Sequence, residues 1–132
     1  MSVHETDPAG EVHKHWFHVW IGPFQWSVCL CDAARCRNLR DEEGEADGAI
    51  DATTHIIHLD RDQAHDRVPL SFGHEIGHGS VSKMNDESFV ALMGCRKSKK
   101  AIAEAEERLS DHVALIVCDL IRSGLLRLPE IR

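Results

Sequence analysis

No apolar run in the sequence approaches the ~20 residues that a membrane-spanning helix needs. That absence excludes an α-helical membrane anchor. The opening stretch, MSVHETDPAGEVHKHW, also lacks the apolar core of a secretory signal, so a cytoplasmic protein is expected. Positive charge is scarce. There are 15 Lys and Arg against 22 Asp and Glu, and the formal net charge of −7 argues against a general binder of nucleic acid or anionic membrane. Paired C-x-x-C motifs are missing. The 5 cysteines are an odd number in a chain without a secretion signal, so reduced thiols are expected rather than a disulfide framework. Internal repeats and long linkers are missing too, which leaves 1–132 as one domain with a loose polar arm at 1–12 around Pro8 and Gly10.

What is present reads as α+β. HWFHVWI (His15 to Ile21) and QWSVCLC (Gln25 to Cys31) are rich in aromatic and branched residues, as strands are, and the GPF between them is a turn. Residues 32–48, containing RDEEGEADG, are expected to form an acidic, mobile surface loop after a short helical turn. AIDATTHIIHLDR (Ala49 to Arg61) reads as a strand or short hairpin. Pro69 then suits the first turn of a helix running to about Ser82. A shorter helix is expected over Asp86 to Gly94, and a long one over Ser98 to Ser123. In the long one Ile102, Leu109, Val113, Ile116 and Leu120 recur at helical spacing, and Gly124 ends it. The final LLRLPEI could be strand-like. The expected architecture is a small antiparallel or mixed sheet packed on two principal helices.

The first of those helices carries SFGHEIGHGS. His74 and His78 lie four residues apart, so on a helix both imidazoles point from one face and can share one ion. Neutral imidazole is a good zinc ligand, and a catalytic zinc commonly takes three protein ligands. Glu75 lies about 100° round the helix from His74, on the flank of that face, where a general base sits in the His-Glu-x-x-His pattern. In a chain with 10 histidines the pattern can arise by chance, so its surroundings must carry the reading. Here a proline opens the helix, a β-branched segment precedes it, and acidic residues follow on the long helix.

A third ligand must come from elsewhere. The continuation HExxHxxGxxH fails, because Val81 stands at its glycine and Met84 at its last histidine. The long helix offers Glu104, Glu106 and Glu107. Glu107 and Asp111 form an E-x-x-x-D pair one turn apart. Glu107 would then ligate the metal, and Asp111 would accept a hydrogen bond from a ligand histidine and fix its tautomer. Glu106, on the edge of the apolar stripe, is the alternative ligand, and all three could simply be solvated surface charges.

GHEIGH followed by ERLSD resembles the thermolysin-type gluzincins. The shortness of the chain and THIIHLDR just before the motif are closer to minimal gluzincins, such as the ImmA/IrrE-like and other small metallopeptidases of bacteria and phages. The resemblance covers about Ala49 to Ile121, a little over half the chain. It implies a zincin-like fold, a zinc held by His74, His78 and Glu107, Glu75 as general base, and a peptide or protein substrate lying along a strand near Thr54 to Leu59. One departure stands out: tyrosine, which many gluzincins use to stabilise the oxyanion, is absent. His58, His112 and His55 are the available substitutes, with His58 and His112 the candidate substrate-binding residues.

Other chemistry-bearing residues have plainer readings. Period-two alternation puts His13 and His15 on one strand face and His18 on the other. Cys29, Cys31 and Cys36, in CLCDAARC, raise a structural zinc as a minor alternative to core packing, and Cys118 reads as core. Trp16, Trp20 and Trp26 read as core anchors or pocket walls. Gly73 and Gly77, on one helix face, would let another helix or a substrate backbone approach closely. The function expected is zinc-dependent peptide-bond hydrolysis. The alternatives are a zinc-stabilised, non-catalytic interaction module of a phage or mobile element, and a hydrolase of non-peptide amides.

Overall fold

The computed structural model describes residues 13–34, 36–41 and 44–131. The arm expected at 1–12 lies outside them. Strands β1 (His13–Ile21) and β2 (Phe24–Cys31) form an antiparallel hairpin. Its two-residue turn places Gly22 at φ 58°, the positive angle a primed hairpin turn requires. A short 3-10 turn (Arg37–Leu39) follows, and then the two-residue strands β3 (Arg40–Asp41) and β4 (Gly44–Glu45). Strands β5 (Gly48–Asp51) and β6 (Ile56–Asp60) form a second hairpin. Its turn is held by the Asp51 carboxylate, which accepts from the Thr53 and Thr54 N–H groups. The main sheet runs β1-β2-β6-β5, with β6 parallel to β2 and antiparallel to β5. The fold is therefore α+β with a mixed four-stranded sheet.

Three helices complete it: α1 (Val68–Val81), α2 (Asp86–Met93) and α3 (Lys99–Arg122). Asn85 caps α2 by accepting from Ser88 N–H at 2.8 Å, and Ser98 caps α3 by accepting from Ala101 N–H at 3.2 Å. The basic RKSKK run is thus the start of α3. Gly124, at φ 80°, turns the chain away from the end of that helix. None of the described helices is long and apolar enough to cross a membrane.

Alternation along the strands decides what each sheet face meets. Trp26, Val28, Leu30, Ile57 and Leu59 point to one side and pack on Val68 and Phe72 of α1 and Val117 of α3. Cys29, Cys31, Ala49 and Ile56 point to the other side, where Ala33, Cys36 and Leu39 cover them. Residues 32–48 are therefore not the free surface loop that their charge suggested. Cys36 and Leu39 are fully buried, and the backbone of Cys36 donates to the Asp32 carbonyl at 2.8 Å.

Several expectations need correcting. A bulge between His15 and Phe17 shifts the β1 register by one residue. It brings His15 and His18 onto the same face, with ring centroids 4.3 Å apart. Trp26 is the core anchor, but Trp20 is 66% exposed. Ile116 and Leu120 of α3 are exposed as well, because the helix buries its small side, Ala105, Ser110 and Ala114. Cys118 is only half-buried. The C-terminal segment is not a strand; Trp16 Nε1 donates to the Glu130 carbonyl there at 3.1 Å. The strand expected to receive a substrate, Thr54 to Leu59, has no free edge, since β6 is paired on both sides.

Candidate metal centre

Small residues set the separation of α1 and α3. A Cβ on Gly73 would lie 2.7 Å from the Ala114 Cα, and one on Gly77 would lie 2.6 Å from the Ser110 Cα. Real side chains do not fit there, so the two backbones approach to a distance that only glycine permits. Of the two occupants proposed for the glycine face, a helix and a substrate, the helix is present. Gly73 and Gly77 cost helix propensity, on the order of 1 kcal/mol each relative to alanine, and the close seam is what they provide; Gly79 instead faces Ile21 and Trp26 of the sheet.

This approach brings the acidic turn of α3 onto the His74/His78 face. Glu107 lies against both imidazoles: Oε2 is 3.3 Å from His74 Nε2, and Oε1 is 3.0 Å from His78 Nε2. The two Nε2 atoms are 3.1 Å apart. The outer ring nitrogens meet other carboxylates. His74 Nδ1 is 2.9 Å from Asp111 Oδ1, and His78 Nδ1 is 3.3 Å from Glu106 Oε2. In the tautomer that carries the proton on Nδ1, each ring has a carboxylate acceptor behind it and turns its Nε2 lone pair inward, beside Glu107. Two lone pairs and an anion converging on one point repel one another unless a cation lies among them. His74, His78 and Glu107 thus form a group suited to a metal ion. Glu106 stands behind His78 rather than with the converging atoms, and Glu104 is exposed and outside the group.

Glu75 follows His74 on α1 and lies close to the same group. It is 6% exposed and packs beneath β5, where a Cβ on Gly48 would come within 3.2 Å of its Cγ. Burial pushes its carboxyl above the ordinary range, opposed by the nearby His78 and His74 and assisted by Glu107. Beside it opens a cleft of about 430 Å³, lined by Asp47, Gly48, Arg67, Leu70, His74 and Asp111 among others. The cleft has an acidic base, an apolar wall and one guanidinium, and Arg67 is held at 2.8 Å by Asp47.

The other histidines lie elsewhere. His58 is 4% exposed on the far face of the sheet, with Nδ1 3.4 Å from Cys31 Sγ. His112 is exposed on α3. Neither lines the cleft. His55 occupies the β5–β6 turn at φ 56° and stacks on Trp26 at 4.9 Å. The cysteines also differ from expectation. Cys31, Cys36 and His58 form a second group of metal-type ligands, all buried. The neighbouring Cys36 thiol, then burial, hold the Cys31 thiol protonated far above its usual range.

Sequence reasoning missed Gln63, Asp47 and Gly48. The buried Gln63 amide donates to the Asp47 and Asp60 carbonyls and accepts from Ser71 Oγ at 2.7 Å. It thereby ties the start of β5 to the first turn of α1 and fixes the wall of the cleft. A lone polar residue in a turn gives no signal of that role; only the Asp60-x-Asp62 turn beside it, closed by an Asp62 N–H to Asp60 Oδ1 bond, was local enough to read. No protein-family model, curated protein or solved structure matches the chain.

Proposed function

We propose that the chain is a zinc-dependent peptide hydrolase with a zincin-like, minimal-gluzincin site. The observation that carries this is the convergence of His74 Nε2, His78 Nε2 and Glu107, with a carboxylate behind each imidazole and Glu75 buried one residue from the first ligand. His74, His78 and Glu107 would hold the ion. A zinc ion there would acidify water and polarise a scissile carbonyl. The chain's own residues do the rest. Asp111 and Glu106 hold the imidazoles in the tautomer that presents Nε2. Glu75, whose carboxyl burial pushes above its ordinary range, takes the proton from the attacking water and passes it to the leaving amine.

A substrate fits the free edge of β5. Among the described residues no strand pairs with that edge, and Gly48 carries it past Glu75. An extended peptide could add there through its backbone. Leu70, Ala114 and Leu115 would receive an apolar side chain, and Arg67 is the cation nearest to hand in a chain without tyrosine.

The test is Glu75→Gln in a cleavage screen on peptides containing apolar residues. Wild type should cleave. The variant should keep its fold and its metal while losing about 10²–10⁴-fold in rate, the usual share of a general base. A variant that loses its metal makes Glu75 a ligand and ends this mechanism. The missing tyrosine favours one second reading, a zinc-stabilised interaction module without turnover. Equal performance of wild type and variant in a cellular assay would establish that reading instead.

A further inference from the structure

The far face of the sheet holds chemistry that hydrolysis does not use. Cys31 ends β2, Cys36 immediately precedes the 3-10 turn, and His58 lies in the middle of β6. Their Sγ and ring nitrogen atoms all lie within 4.8 Å of one another, and Cys31 Sγ is 3.4 Å from His58 Nδ1. Exposure is 0% for both cysteines and 4% for His58. The group shares no residue with the α1–α3 seam. It also lies across the sheet from it: His58 alternates with Ile57 and Leu59, which face α1.

We propose that Cys31, Cys36 and His58 bind a structural zinc ion, separate from the one at His74, His78 and Glu107. Two thiolates and an imidazole are a soft, tetrahedral-type donor set that selects zinc over calcium or magnesium. The surroundings suit an ion that is held rather than used. Ala33, Leu39, Ala49 and Ile56 pack against the group, and the cleft beside Glu75 does not reach it. On binding, the two thiols release their protons to solvent and the imidazole coordinates as the neutral base, so the thiolate charges cancel that of the ion.

The site joins three separate stretches of chain at one point. Among the described residues of 32–47, regular structure is limited to the 3-10 turn and the short β3–β4 pair. Cys36 pins their first half under the sheet. Their far end is Asp47, whose carbonyl is held by Gln63 and which precedes Gly48 at the cleft wall. An ion at Cys31, Cys36 and His58 would therefore fix the segment that delivers β5 to Glu75, without touching the reacting centre.

The experiment removes the other site first. His74→Ala/His78→Ala protein, prepared under reducing and anaerobic conditions, is titrated with Co²⁺ and followed by absorption. About one ion per chain should bind with sulfur-to-cobalt charge-transfer bands, which nitrogen and oxygen ligands cannot give. Adding Cys36→Ser should abolish those bands. Protection of residues 32–47 from hydrogen exchange should rise with metal in the first protein. Absence of the bands in the cysteine-intact protein overturns the proposal, and that reading does not depend on whether the Cys36 variant folds. Bands that survive Cys36→Ser unchanged, or a Cys31–Cys36 disulfide in protein purified under reducing conditions, also overturn it. Failure here leaves the hydrolase reading intact, and inactivity in a cleavage screen leaves this one intact.

Discussion

The α1–α3 seam and the far face of the sheet each gather three metal-type ligands, in opposite surroundings. At the seam the donors are nitrogen and oxygen, Glu107 is 58% exposed, and a cleft lies alongside. Behind the sheet the donors include two thiols, none of the three ligand residues is more than 4% exposed, and apolar side chains pack around them. On the proposed readings the exposed site with a cleft would admit a substrate, whereas the enclosed one would admit only the ion. The difference teaches that ligand count alone does not assign a role. Access and donor softness do, and one thin sheet separates a place suited to reaction from a place suited to anchoring.

Breaking each site in turn should give opposite losses. Cys36→Ser should lower the unfolding free energy in zinc-containing buffer by about 4 kcal/mol, the linkage expected when ligand is present at roughly 1,000 times its Kd. Turnover per folded molecule and the seam's metal should persist. Glu107→Ala should do the reverse, removing the seam's metal and turnover at a smaller cost in stability. Denaturant titration alongside metal analysis decides the matter. A larger stability loss for Glu107→Ala than for Cys36→Ser would exchange the two roles.

Within the seam, the carboxylates behind the imidazoles should differ. Asp111 Oδ1 is 2.9 Å from His74 Nδ1, whereas Glu106 Oε2 is 3.3 Å from His78 Nδ1. Asp111→Asn should weaken metal binding by about 10–100-fold, and Glu106→Gln by less. Competition against a chelator of known affinity measures both. Equal, unchanged affinities would mean that neither carboxylate orients its histidine.

The same contrast explains what could be read from the chain. The seam was legible because helical periodicity alone puts His74 with His78 and Glu107 with Asp111. Three of those groups then needed only one contact between two helices, and Gly73 and Gly77 signalled that contact. The strands of the main sheet and all three helices were legible for the same reason, since each is a local pattern, whereas the two-residue β3 and β4 fell in what read as a loop. The far-face group was not. Cys31 and Cys36 are five residues apart, but His58 arrives only through a parallel β2–β6 pairing that no local pattern specifies. Its burial depends on residues 32–48, whose acidic composition points to solvent. His15 and His18 were misplaced by one bulged residue, because alternation reverses wherever a strand gains an extra residue. The β5 edge was missed because pairing order, not sequence, decides which strand of a hairpin is outermost.

The steric nature of the seam gives the next test. Gly77→Ala would normally help a helix by up to about 1 kcal/mol. Here the new Cβ meets the Ser110 Cα at 2.6 Å, so α3 must move. A net destabilisation of about 1–3 kcal/mol is expected, with weaker metal binding as Glu107, one turn from Ser110, is displaced. Thermal unfolding and metal titration on the same sample check both effects. A stabilised variant with normal affinity would show that the helices have slack.

The smallest effect should come from Ser110→Ala, and its sign is the informative part. Ser110 is fully buried at the seam, and its hydroxyl has no hydrogen-bond partner among the described residues. It lies 3.0 Å from where a Cβ on Gly77 would stand, so it is present as a small residue and not as a donor to the carboxylates. An unpaired buried hydroxyl carries a desolvation cost of about 1–3 kcal/mol, and alanine is also the better helix former. Removing the oxygen while keeping the small volume should therefore stabilise the protein by about 1 kcal/mol, a rise of roughly 4 °C in Tm for a chain of this size. Metal affinity should not change. If the Tm falls instead, the hydroxyl is bonded across the seam, and the approach of α1 and α3 is held by a polar contact as well as by the absence of side chains on Gly73 and Gly77.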